Sequence, residues 1–197
     1  MKNIVLFGPP GAGKGTQSSR IIEKYGLIHI STGDILRAER KEGTRLGKRA
    51  NGFIDKGELV PDEVVIEMVA NKINENLDAR GFIFDGFPRT VAQGKALDEI
   101  LNKSDNPIKK MISMEVDEDE LTKRLLLRGE TSGRIDDQDE ATIRNRFKVY
   151  NAETLPLKDF YQEQGKFAGV NGMNDIETVS YTHLRAHETK ANLVCRL

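Results

Sequence analysis

The sequence holds one cysteine, three histidines and no tryptophan in 197 residues. A single cysteine excludes a disulfide framework and suits a reducing, cytoplasmic compartment. An excess of charge of one sign is also missing, with 30 basic residues against 31 acidic ones. That balance excludes whole-molecule steering toward nucleic acid or an acidic membrane surface, so any bound anion has to be held by a local cluster of cations. No apolar run approaches the ~18 residues a membrane span needs. The apolar part of "MKNIVLFGPP" is too short for a signal peptide. Internal repeats and low-complexity tracts are absent as well.

What the chain does have is alternation. "NIVLF", "LIHI", "GFIFD" and "MISMEV" are short, almost wholly apolar runs, as expected of buried parallel strands, and "KFAGV" reads as a weak fifth. Between them lie helical stretches: Thr16–Tyr25 stopping at Gly26, a region to about Asn76 broken at Gly43, Gly52, Gly57 and Pro61, then Thr90–Leu101 and Glu118–Leu127. "RGETSGRIDD" reads as an exposed loop, and a long polar helix follows it with a kink at Pro156. At this length one domain is expected. The pattern predicts an α/β fold: a doubly wound, five-stranded parallel sheet covered by helices on both faces.

Three clusters carry chemistry. Gly8, Gly13 and Lys14 fit the spacing of a P-loop, and the strand before and helix after are the setting that motif needs. Its glycines let backbone N–H groups turn inward onto phosphate oxygens, the helix adds its positive end, and Lys14 adds a full charge. Gly15 stands where a hydroxyl residue is usual, so Thr16 follows one place late. The second cluster is "DGFPRT", with Asp85 at the carboxyl end of a strand, where open sheets bind ligands, and Arg89 as a planar phosphate clamp. The third is a set of arginines, Arg124, Arg128, Arg134, Arg144 and Arg146. A phosphoryl group in flight needs such convergent positive charge, although exposed arginines are more often only solvated surface.

Taken in order, "GPPGAGKGTQ", "HISTGDILRAE", "GELVPDE", "FIFDGFPRTVAQ" and "RGETSGRIDD" resemble the signatures of the adenylate kinases over residues 1–178. The resemblance implies a P-loop core with two mobile inserts, one over the nucleoside monophosphate (residues 31–60) and a short lid over the triphosphate (residues 128–138). It implies transfer of phosphate from MgATP to AMP, giving ADP, by a monomer. Gly11, Ala12, Gly13, Lys14, Gly15, Thr16, Arg128 and Asn174 would then bind ATP. Thr32, Arg37, Glu58, Leu59, Val60, Gly86, Phe87, Pro88, Arg89 and Gln93 would bind AMP, with Gln93 reading the base edge. Lys14, Arg89, Arg128, Arg134 and Arg146 would act on the transferred phosphoryl, Arg134 and Arg146 also touching AMP. Asp85 would anchor Mg²⁺ through water. The short lid carries no cysteines, hence no structural zinc. Of Arg144 and Arg146, "RFKVY" favours the second. His29 reads as a packed or hydrogen-bonded strand residue.

A UMP/CMP kinase is the nearest alternative, but Thr32, Thr90 and Gln93 together favour AMP. A non-catalytic ATP-binding regulator is the other, and it would have no use for a second nucleotide site. After Thr178 the chain no longer resembles the family. Val179–Leu197 resembles instead the in-frame translation of a DNA sequencing adapter. The expectation is a terminal helix cut short and a non-native tail, so that His183, His187 and Cys195 form no metal or redox site.

Overall fold

In the computed structural model, which describes residues 2–174 and Thr178, five strands form one parallel sheet in the order β2-β3-β1-β4-β5. They are β1 Asn3–Phe7, β2 Ile28–Ser31, β3 Phe82–Asp85, β4 Ile108–Glu115 and β5 Phe167–Asn171. The doubly wound fold is as expected. Strand β1 shows why an unbroken apolar run is required. Its residues alternate between two cores, Val5 and Phe7 in one and Ile4 and Leu6 in the other, and all are buried.

Helix α1 (Lys14–Tyr25) brings Ile21 to the Ile4/Leu6 face. Helices α6 (Glu118–Ser132) and α7 (Glu140–Val149) add Leu121, Leu125, Ile143 and Phe147 there. The opposite face is covered by α4 (Asp62–Asn74), α5 (Val91–Asn102) and α8 (Leu157–Glu163), through Val69, Leu97, Leu101, Leu157 and Tyr161. Helices α2 (Thr32–Glu42) and α3 (Arg45–Ile54) pack on each other.

Several boundaries differ from the sequence reading. Helix α3 runs through Gly52, where a break was expected; a Cβ there would meet nothing within 4 Å. Helix α6 continues past Leu127 to Ser132, so half of "RGETSGRIDD" is helical and only Gly133, at φ 64°, stops it. Ile135–Asp137 forms a single 3₁₀ turn, and α7 begins at Glu140, capped by the Asp139 carboxylate. The polar helix is interrupted before Pro156 as well as at it, by a π turn over Tyr150–Thr154. Strand β5 pairs in full with β4, from Met111↔Phe167 to Glu115↔Asn171. Residues 179–197, expected to be a foreign tail, lie outside the described residues.

The crossover from β1 goes to β2 on one side, while β4 lies on the other. The sheet's winding therefore reverses at β1, and the crevice beyond the strand ends opens there. Register aligns Leu6 and Ser31 with Asp85, so the P-loop, the start of α2 and the loop after β3 leave the sheet side by side.

Candidate active site

A cavity of about 470 Å³ occupies that crevice. It is lined by Gly11–Thr16, Thr32, Arg37, Glu58–Val60, Asp85, Gly86, Pro88, Arg89, Gln93, Arg128, Arg134 and Arg146. These are the nucleotide-binding, phosphoryl-handling and Mg²⁺ residues that the resemblance implied, with two exceptions. Phe87 is buried in the hydrophobic core, 1% exposed, so its ring does not reach the cavity. Asn174 is exposed beyond the exit of β5 and is not part of the lining.

The loop Gly8–Gly13 owes its shape to close packing. Gly8 has φ 137°, and a Cβ on it would stand 2.8 Å from the Met114 carbonyl. Gly13, at φ 88°, then turns the chain into α1 with no side chain capping the helix, which leaves its first N–H groups free for an anion. Lys14 donates to the Gly8 and Pro9 carbonyls at 2.8 and 2.9 Å. Burial, and then the guanidinium groups of Arg89, Arg146 and Arg128, lower its pKa to about 8, with Asp85 opposing them. Arg89 is exposed to the cavity, and desolvation there together with Arg146 weakens its hold on the proton. Such mutual repulsion among cations marks a site shaped for an anion that is more than singly charged.

The Asp85 carboxylate would be raised by burial alone. The surrounding His29, Lys14 and Arg89 outweigh that, so its pKa stays below the usual range. His29 stands beside it, its Nε2 3.8 Å from Asp85 Oδ2. Among the described residues no three metal-ligating side chains converge. One ionised carboxylate beside a phosphate-shaped loop nevertheless suits Mg²⁺, which keeps most of its waters and takes phosphate oxygens as ligands.

The arginines divide as geometry dictates. Arg128 and Arg124, four apart on α6, both line the cavity. Arg124 also reaches Glu120 Oε1 at 2.7 Å and the Gly172 carbonyl at 3.4 Å, tying α6 to the exit of β5. Arg144 is 71% exposed and, among the described residues, pairs with Glu140, whereas Arg146 turns inward.

Two acids escaped the sequence reading. Asp137 is fully buried and binds Arg128 through two bonds of 2.7 and 2.9 Å and Arg146 through one of 2.6 Å. Burial raises its pKa, but the two guanidinium groups together carry it below the ordinary value. Gly129 makes room for it, since a Cβ there would stand 2.6 Å from the Asp137 carbonyl oxygen. Asp62 accepts from Thr90 Oγ1 and from Gln93 Nε2, both at 2.7 Å. The doubled acid in "RIDD" and the Thr-x-x-Gln spacing at Thr90 were the available signals for them.

With this geometry in place, comparison with known proteins is decisive. A sequence model of the adenylate kinase family matches residues 6–166. The chain belongs to the adenylate kinase family. An adenylate kinase of Bacteroides fragilis is 50% identical over 189 residues, covering 96% of this chain and 100% of that protein. One of Flavobacterium psychrophilum is 52% identical over 180 residues, covering 91% of this chain and 95% of the relative. One of Leptospira biflexa is 48% identical over 186 residues, covering 94% of this chain and 100% of the relative. The adenylate kinase assignment and the five-stranded P-loop architecture thus agree along most of the chain. Among the described residues no helix is long and apolar enough to cross a membrane.

Proposed function

We propose that this protein transfers the γ-phosphoryl group of ATP reversibly to AMP, giving two ADP. The observation that carries the proposal is the convergence, in one cavity, of a P-loop lysine, six arginines and a second set of nucleotide-binding motifs. A protein that only sensed ATP would not need the Thr32, Arg37 and Gln93 side of that cavity.

Gly11–Thr16 and the start of α1 would cradle the triphosphate, with Arg128 beside it. Asn174 would add only a backbone contact to the base, being outside the cavity lining. Thr32, Arg37, residues 58–60 and residues 86–89 would hold AMP, Phe87 through its backbone. A phosphate oxygen of AMP attacks the γ-phosphorus, and the bond from that phosphorus to the β–γ bridging oxygen breaks. Lys14, Arg89, Arg128, Arg134 and Arg146 would neutralise the charge that spreads over the equatorial oxygens. Asp85 would hold Mg²⁺ through water, and the ion would supply positive charge against the phosphates there.

Residues 31–60 and 128–138 would be the moving parts, closing to keep water from competing as acceptor. Support comes from contacts that already join them or their neighbours: Arg134 Nη2 lies 3.8 Å from Asp34 Oδ1, and Asn145 Nδ2 donates to the Lys56 carbonyl at 2.7 Å. We extend the proposal to a cytoplasmic monomer. ADP formation from MgATP with AMP, CMP or UMP as acceptor is the test. AMP is expected to be used far better than the pyrimidine nucleotides; equal use of CMP or UMP would replace this proposal by the UMP/CMP kinase one.

A further inference from the structure

Asp62 lies at the start of α4 and does not line the cavity. Its two carboxylate oxygens are both engaged, Oδ2 by the Thr90 hydroxyl and Oδ1 by the Gln93 amide nitrogen. On its other side, Gln93 Oε1 accepts from the Arg89 backbone N–H at 2.8 Å. Gln93 is 1% exposed, yet its side of α5 forms part of the cavity wall. Thr90 caps α5 by accepting from the Gln93 N–H at 3.1 Å, so the helix start fixes the backbone beneath the same amide.

The two neighbours determine which way the amide points. A carboxylate only accepts and a backbone N–H only donates, so nitrogen must face Asp62 and oxygen must face Arg89. Among the described residues, each amide atom keeps one unused valence: an N–H hydrogen and a carbonyl lone pair. These are what Gln93 has to offer a base. A 6-amino purine matches them, giving a hydrogen from its amino group to Oε1 and accepting one at N1 from Nε2. A 6-oxo purine has the opposite pattern, an acceptor at position 6 and a hydrogen on N1. To pair with it the amide would have to turn over, setting oxygen against the Asp62 carboxylate and NH₂ against the Arg89 N–H. Both contacts then become mismatched in a nearly dry setting.

We propose that Asp62 is a positioning residue that locks the Gln93 amide so that the acceptor site takes a 6-amino purine and refuses a 6-oxo purine. The proposal rests on the assignment of Gln93 to the acceptor base. It is tested by the ratio of kcat/KM for AMP to kcat/KM for IMP, measured at saturating MgATP in the wild type, Asp62→Ala, Asp62→Asn and Gln93→Leu. Both rates come from one preparation, so the ratio is independent of the folded fraction.

Asp62→Ala frees the amide from its carboxylate lock, and the ratio is expected to fall by roughly tenfold or more, with KM rising for AMP but not for ATP. Asp62→Asn still offers an oxygen to Nε2 and is expected to keep more of the ratio than alanine does. An unchanged ratio in Asp62→Ala, or KM values rising together for AMP and ATP, overturns the role of Asp62. Gln93→Leu separates the two claims. If it leaves AMP use intact, Gln93 is not the base reader and the underlying assignment falls. If it damages AMP use while Asp62→Ala keeps the ratio, only the role of Asp62 falls.

Discussion

Lys14 spends its ammonium hydrogens on the carbonyls of its own loop, ready to exchange them for phosphate oxygens. Its pKa of about 8, against an ordinary 10.5, gives a signed expectation. Between those values the unfolded chain holds more of the proton, so stability rises with pH across that window; below about 8 the strain of the buried charge is felt in full. A bound anion reverses the balance and raises the pKa, so ATP binding should take up protons at pH 8.5 and the KM for ATP should climb above about pH 8. Calorimetric titration in two buffers of different ionisation enthalpy reads this directly. No proton uptake would mean that Lys14 is fully charged beforehand. Lys14→Ala should lower kcat by ~100-fold or more, because its charge acts on the group in transfer; a kcat near that of the wild type would remove Lys14 from the chemistry. At this scale the cations and Asp85 were legible in the sequence, and two other acids were not. Lysine and arginine at motif spacings announce an anion site. Asp62 and Asp137 act only on other side chains, through contacts that exist after folding.

Helix α6 shows where element boundaries went unread. Two glycines, Gly129 and Gly133, could each have ended it, and only the second does. Gly129 is there for the approach of the Asp137 carbonyl, a tertiary contact with no local signature. Gly129→Ala should therefore destabilise the protein by about 1–3 kcal/mol despite alanine's better helix propensity. Urea unfolding decides it, since a purely helical effect would shift the midpoint upward. Asp137→Ala should cost more, about 3 kcal/mol, because it leaves Arg128 and Arg146 partly buried without their shared carboxylate. Its kcat should fall as well, as both arginines lose their aim. A thermal melt and a rate within error of the wild type would show that the arginines need no such anchor.

For the whole molecule, strand-and-helix alternation made the parallel sheet readable, but not the order β2-β3-β1-β4-β5, which comes from pairing of distant segments. The cavity is a product of that order, since it places the ends of β1, β2 and β3 in register. Closure of the two inserts belongs to this scale. A bisubstrate analogue joining two adenosines through phosphates should slow hydrogen exchange across residues 128–138, and unchanged exchange at saturation would argue against a closing lid. The resemblance of residues 179–197 to an adapter translation also makes a claim about the whole chain. Deleting Val179–Leu197 should leave activity and Tm nearly unchanged, and a clear fall in either would make that segment part of the protein.

The central claim is that one cavity holds two adenine nucleotides and moves a phosphoryl group between them. It is tested most directly by giving the protein ADP and Mg²⁺ alone and following the phosphorus NMR spectrum. The account predicts that ADP disappears while ATP and AMP grow in equal amounts, with no inorganic phosphate. An unchanged ADP signal, or AMP appearing with inorganic phosphate in place of ATP, would contradict it.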